Sequence, residues 1–307
     1  MAYRLFEGKE HASVYQKYRF TPPAGLKDLI IQYLDKKKGP PHELAVDLGC
    51  GTGQNTRLLA PHFKEVVGMD ISESQLEEAR AVPGFSNITY KTGRAEKLPF
   101  PDDSVDLLTA ASAAHWFDVP MFLAEANRVL KPGGCMALLG FADNYPKFTY
   151  KDCGDKLSSI YQEVKEVLKP YTERPVFESE NKLEGLFQAI PFPDKERIED
   201  FPLKWTISVE DLMGFISSWS MFQTYRAKDP TGAEHLLVNT EKRSVDPNSH
   251  TNTPDIQLSF VCLLTGSCRR WAWLPLKQKL CAIGNISVFW HPNHSKSAPK
   301  KFILKRR

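Results

Sequence analysis

None of the six cysteines (Cys50, Cys135, Cys153, Cys262, Cys268, Cys281) stands in a CxxC pair. Neither a zinc site nor a disulfide framework is therefore expected, and reduced thiols are the default. No stretch approaches the roughly 18 consecutive apolar residues that a membrane span requires, and MAYRLFEGKEHASVYQ at the N-terminus has no apolar h-region. The expectation is a cytoplasmic protein with no membrane partner. There is no internal repeat, and from Ser244 onward there is no glutamate.

With 307 residues, 42% of them hydrophobic, the chain can bury the core of one large domain or two small ones. Its net charge of +3 is unevenly placed: residues 244–307 carry ten Lys/Arg against Asp246 and Asp255, which leaves residues 1–243 at −5. Nucleic-acid binding draws its affinity from clustered Lys/Arg. The acidic body therefore argues against a nucleic-acid partner, while Lys300, Lys301 and the terminal KRR give the end of the chain the composition of a nuclear or nucleic-acid tag.

From about Glu43 to Phe141 short apolar runs alternate with helical patterns, the signature of βαβ units and a parallel sheet. LAVDLG, VVGMD, NITYKTG, SVDLLTAAS and GGCMALLGF read as five strands. A helix is expected over Gly51–Phe63, a second in SESQLEEARAV behind Ser72 as N-cap, and a third in VPMFLAEANRVL, closed by Lys131-Pro132-Gly133-Gly134. Beyond Phe141, Tyr150–Lys169, Glu178–Ala189 and Val209–Tyr225 read as helices and RIEDFPLKWTIS as a strand. After Arg243 the only strand candidate is DIQLSFVCLL.

VDLGCGTGQN ends the first of these strands with glycines at 49, 51 and 53. In an open parallel sheet, ligands sit at the carboxyl ends of the strands. Glycines there let the backbone pass close to a ligand, and a helix N-terminus behind them faces an anionic group. A dinucleotide loop wants a third glycine where this chain has Gln54, and Asp47 is ill placed beside a pyrophosphate. S-adenosylmethionine carries an ammonium that suits Asp47, and Asp70, at the end of the next strand, is placed for ribose hydroxyls.

These residues, with AEKLPFPDDSVDLLTAASAAHWFD and RVLKPGGCMALLGF, resemble the class I S-adenosylmethionine-dependent methyltransferases of the methyltransferase type 11 group over residues 5–240. VYQKYRFTPP, His115-Trp116-Phe117 and FISSWSMFQTY more particularly resemble the trans-aconitate methyltransferase-like subgroup. The resemblance implies an α/β fold: a Rossmann-like, doubly wound, mostly parallel sheet with helices on both faces and a helical cap. It divides the chain into an N-terminal helical lid (1–40), a cofactor-binding core (41–142), a cap with the remaining sheet strands (143–243) and an atypical basic tail (244–307). S-adenosyl-L-methionine is the implied cofactor. Gly49, Cys50, Gly51 and Gly53 would line its methionine part, Asp70 the ribose, Ile71 one adenine face, and Ala95 with Glu96 the adenine edge. The family often has an acid before this Ala-Glu pair; Arg94 stands there instead, which leaves adenine to backbone groups or Glu96.

Methyl transfer needs alignment and exclusion of water more than a catalytic triad. Tyr18 and Trp116 offer aromatic faces to the sulfonium. A small-molecule acceptor is implied, with a carboxylate as the leading candidate: Arg19 would orient a carboxylate, while an amine or hydroxyl needs a base, for which His115 has an ordinary pKa near 6.5. Tyr15 and Trp219 join Trp116 as candidate substrate walls. Each residue also has a plainer reading: Asp70 as a helix cap, His115-Trp116 and Trp219 as core, and Tyr15, Tyr18 and Arg19 as an exposed helix face. No metal site is expected, and the protein is expected to be a monomer. The expected last strand of the sheet is missing from Leu236–Arg243, so residues 244–307 are read as poorly ordered and without a packed role. Two rival functions follow, a non-catalytic cofactor-binding protein with an incomplete sheet and a protein or nucleic-acid methyltransferase.

Overall fold

The computed structural model of the chain describes residues 5–149, 154–180, 183–244 and 256–269. Helices α1 (Lys9–Tyr18) and α2 (Ala24–Lys37) precede an alternating run of β1 (Leu44–Leu48), α3 (Gln54–Leu59), β2 (Glu65–Asp70), α4 (Glu73–Ala81), β3 (Ile88–Thr92), β4 (Val105–Ala111), α5 (Val119–Val129) and β5 (Leu130–Thr149). Then come α6 (Gly154–Leu168), α7 (Arg174–Glu180), α8 (Glu184–Ala189), β6 (Asp194–Ile207), α9 (Val209–Ser217), α10 (Ser220–Lys228), α11 (Pro230–Ser244) and β7 (Ile256–Cys268). The seven strands form one sheet in the order β3-β2-β1-β4-β5-β7-β6. β7 is antiparallel to both of its neighbours, and the pairings among β1 to β5 are parallel. The mostly parallel, doubly wound α/β fold expected from the sequence is the fold observed.

Strands covered on both faces should be apolar at every position rather than at alternate ones. β4 is buried at every position from Val105 to Ala110, with Leu107 in the core beneath α2, Leu108 and Ala110 in the core beneath α5, and Asp106 and Thr109 as polar exceptions. α2 sets Leu26, Ile30 and Leu34 against the first core, and α5 sets Phe122, Leu123, Ala126 and Val129 against the second. Local signals fix the helix starts. The Ser72 hydroxyl accepts the Gln75 N–H, and the Asp118 carboxylate accepts the Met121 N–H.

Four sequence expectations change. The Gly51–Phe63 helix is shorter, beginning at Gln54 because Gly51 and Gly53 hold left-handed φ of 54° and 82°. Glu178–Ala189 is two helices, with Leu183 in the left-handed region between them. Val209–Tyr225 also divides, because Trp219 is extended (φ −71°, ψ 140°) and turns into the core. The fourth change concerns the tail: Ile256–Cys268 is not a segment without a packed role but the strand that joins β5 to β6. Ile256, Leu258 and Leu264 lie in the main core, and burying such side chains is worth about 1.5–3 kcal/mol each. Leu236–Arg243, where the strand was missed, belongs to α11. The incomplete sheet behind the non-catalytic reading is therefore complete. Residues 270–307, with the basic cluster, lie outside the described residues.

Candidate active site

The carboxyl ends of β1, β2 and β4 converge around the glycine loop, and each glycine answers a different demand. Gly49 (φ 60°) packs so closely that a Cβ there would stand 2.5 Å from the Ala113 methyl. At Gly53 a Cβ would strike the Tyr90 hydroxyl. Gly51 (φ 54°) is the open one, where a Cβ would meet nothing nearer than Gln75 Oε1 at 3.5 Å and Tyr15 at 3.9 Å. Gln75 is 2% exposed, and among the described residues both its amide oxygen and nitrogen lack partners. A buried amide left unpaired beside an open glycine turn is a cradle for a polar ligand, since burial without a hydrogen bond is costly.

Asp70 frames the other side. Its Oδ2 accepts the Gly51 N–H at 2.9 Å and its Oδ1 accepts the Ser72 N–H at 2.9 Å. Burial pushes its carboxyl up, against the pull of those backbone donors. Because Ser72 supplies the helix cap, Asp70 is not the cap of α4. One carboxylate oxygen can accept more than one hydrogen bond, so Asp70 keeps capacity for hydroxyls. Asp47 is out of a ligand's reach and faces inward, contrary to the expectation that it meets an ammonium. It is fully buried, Oδ1 taking Asn55 Nδ2 and Thr109 Oγ1 at 2.7 Å each and Oδ2 taking Thr56 Oγ1 at 2.6 Å. Burial raises its carboxyl despite these donors. Asp47 pins α3 and β4 under the loop. Cys50 is buried in the loop with its thiol pushed up by burial.

Helix α1 brings residues far away in sequence onto this edge. It packs between α4 and α9, with Tyr15 beside Gly51. Phe6, just ahead of α1, is the link that sequence reasoning missed. Its carbonyl accepts the Ser72 hydroxyl at 2.7 Å, and its ring lies 5.9 Å from Tyr15, 6.1 Å from Trp116 and 5.2 Å from His11. The chain before α1 thus spans from the end of β2 to the end of β4. Trp116 continues to His115 at 4.9 Å. No motif marks Phe6 or Gln75; both matter through placement alone.

His115 is not the ordinary imidazole expected. Burial pushes its pKa down to about 4, and Nδ1 has no partner among the described residues. Three other candidates are also placed differently. The Tyr18 ring lies against Gly214 of α9. Trp219 is 2% exposed between Tyr161 (5.4 Å) and Phe215 (5.5 Å), a core side chain rather than a substrate wall. Glu96 is occupied, accepting the Asp118 N–H at 2.9 Å and pairing with Arg94 at 3.3 Å. Ala95 is buried and Ile71 half-buried beside Asp70.

Arg19 closes the α1 side. Its Nε donates to Ser218 Oγ at 2.8 Å and Nη2 to Ser218 O at 3.4 Å, with the guanidinium 4.8 Å from the Tyr15 ring and 5.1 Å from Phe215. His11 donates to the same Ser218 carbonyl at 2.9 Å, and burial lowers its pKa. Among the described residues no group of three or more His, Cys, Asp or Glu could hold a metal ion, and no helix is long and apolar enough to cross a membrane.

The glycine loop, the strand-end acid and the sheet order together define a class that comparison with known proteins bears out. Residues 46–138 match the methyltransferase domain family. A protein of Dictyostelium discoideum assigned as a methyltransferase is 31% identical over 223 residues, covering 69% of this chain and 75% of that one. The malonyl-[acyl-carrier protein] O-methyltransferase of Methylococcus capsulatus is 38% identical over 109 residues, 34% of this chain and 40% of its own. A solved structure from Anaeromyxobacter dehalogenans, assigned as a type II methyltransferase, superposes with a TM-score of 0.62 at 22% identity, over 82% of this chain and 99% of that one. The chain belongs to the class I S-adenosylmethionine-dependent methyltransferases.

Proposed function

We propose that this chain binds S-adenosyl-L-methionine in the cradle between Gly51, Gln75 and Asp70 and methylates a small molecule, with a carboxylate as the acceptor group. The observation that carries the reading is the buried, unpaired Gln75 amide facing the open side of Gly51. When bound, the cofactor supplies a methyl carbon already activated by its sulfonium. Asp70 holds the ribose hydroxyls, the Gly49–Gly53 turn and Gln75 hold the methionine part, and Ile71 and Ala95 flank the adenine. Phe6, Tyr15 and Trp116 exclude water and turn aromatic faces toward the cation.

The acceptor class follows from proton affinity. An imidazole whose pKa is about 4 is neutral at pH 7 and too weak a base to draw a proton from a hydroxyl. Such a site suits a nucleophile that arrives ionised. Arg19, whose Nη1 makes no hydrogen bond among the described residues, orients the carboxylate, and His115 Nδ1 offers it one further polar contact. The methyl acceptor of the Methylococcus relative, malonyl attached to a carrier protein, also carries a free carboxylate.

Calorimetric titration with S-adenosylhomocysteine, followed by labelled methyl transfer to panels of carboxylates, amines and phenols, tests both halves. Expected are saturable binding, transfer to carboxylates, and a rate that is flat between roughly pH 6 and 8 because no group with an ordinary imidazole pKa takes part. Arg19→Ala should raise the acceptor KM about tenfold or more, the loss of one hydrogen bond to a charged group. Absence of binding sinks the cofactor assignment, whereas binding with transfer only to amines or phenols sinks the carboxylate.

A further inference from the structure

At the end of the sheet opposite the glycine loop, two cysteines far apart in sequence meet. Cys135 of β5 and Cys268 of β7 are register partners in the antiparallel pair. The adjoining rung is hydrogen-bonded, with Arg269 N–H donating to Gly134 O at 3.0 Å and Gly133 N–H donating to Arg269 O at 2.8 Å. Because wide and narrow rungs alternate, the cysteines occupy a narrow one, where facing Cα atoms stand about 4.5 Å apart. That lies inside the roughly 4.4–6.8 Å range of Cα separations that a disulfide spans.

The side chains converge as well. Both sulfurs lie within hydrogen-bonding reach of one acceptor, the Gly133 carbonyl, Cys135 Sγ at 3.6 Å and Cys268 Sγ at 3.4 Å, and both residues are free and buried. The interaction between the two thiols draws the Cys268 thiol below its usual range against the opposing effect of burial, and raises that of Cys135. Of the ion pair nearby, Asp194 raises the Cys268 thiol and Lys37 of α2, 2.7 Å from that carboxylate, lowers it by less, so the lowering comes from Cys135.

We propose that Cys135 and Cys268 form a redox-active pair that a hydroperoxide closes into a disulfide, stapling β7 to β5. The Cys268 thiolate sulfur attacks one peroxide oxygen, the O–O bond breaks, and the departing oxygen leaves as water after taking the proton that the thiol released. The Cys135 sulfur then attacks the resulting sulfenic sulfur; the S–S bond forms, the S–O bond breaks, and a second water carries off the Cys135 proton. Two thiols are oxidised by two electrons and one hydrogen peroxide is reduced to two waters. The pair ends β7, so fraying of the last rung, the lowest-energy local opening of a strand, admits the peroxide.

The test treats the full chain with hydrogen peroxide, alkylates the remaining thiols, and analyses the unreduced digest by mass spectrometry. The expected product is a peptide pair joined through Cys135 and Cys268, two hydrogens lighter than its parts, released by dithiothreitol, while Cys50 is alkylated. The oxidised chain should melt several degrees higher than the reduced one, because the cross-link restricts the unfolded state. Cys135→Ala and, separately, Cys268→Ala should each abolish the linked peptide and the peroxide-induced rise in melting temperature. Alkylation of both cysteines after peroxide, linkage to other cysteines, or Cys268 sulfinic acid without linkage overturns the proposal.

Discussion

Gly49 and Gly51 share a left-handed backbone but differ in what surrounds them, and this separates folding from binding within one loop. At Gly51 a methyl group has space, so Gly51→Ala should cost only the left-handed strain, about 1–2 kcal/mol, while filling the cradle and lowering S-adenosylhomocysteine affinity at least about tenfold. At Gly49 the same methyl collides with Ala113, adding overpacking to strain for a loss of about 3 kcal/mol. Urea denaturation and calorimetric titration of the two variants should show opposite emphases. A Gly51→Ala chain that binds normally would remove the loop's open side from the site. The sequence marked these glycines, and the structure distinguished them. The same holds for the acids, since Asp70 faces the cradle while Asp47, equally prominent in sequence, is spent on Asn55, Thr56 and Thr109.

The contact between α1 and α9 decides whether the site is roofed. Gly214 sits mid-helix in α9, where alanine is the better helix former by about 1 kcal/mol. A Cβ there would nonetheless run into the Tyr18 ring. Gly214→Ala should therefore fail to stabilise the chain, push α1 away from α9 and weaken cofactor binding. A melting temperature raised with unchanged affinity would show that α1 does not depend on this contact. The element pattern from β1 to β5 was legible because strand and helix periods, caps and Pro-Gly stops agree with one another. Helix breaks at Leu183 and Trp219 were not, because the chain turns there to satisfy packing: Trp219 enters the core between Tyr161 and Phe215, and no local breaker residue announces it.

Across the whole molecule, the sheet is closed by a strand from the part of the chain that composition had marked as unpacked. β5 and β6 do not pair with each other; each pairs with β7. A chain ending at Ser244 would expose two unpaired strand edges and remove Ile256, Leu258 and Leu264 from the core, a condition that favours edge-to-edge aggregation. Such a truncation should lose its cooperative thermal transition and elute as aggregate in size-exclusion chromatography. A monodisperse, cooperatively melting fragment would mean that β7 is dispensable. By itself the sequence determined the class of fold, the glycine loop and the strand-end acid, because period, glycine spacing and strand-end chemistry are encoded within a few neighbouring residues. Only the tertiary structure decided what lies next to the loop and what does not. Tyr15 and Gln75 meet the loop, Phe6 links Ser72 to Trp116, Asp47 and Trp219 turn inward, His115 loses its basicity through burial, and Cys135 faces Cys268. These are consequences of packing between segments distant in sequence, and local pattern carries no record of such contacts.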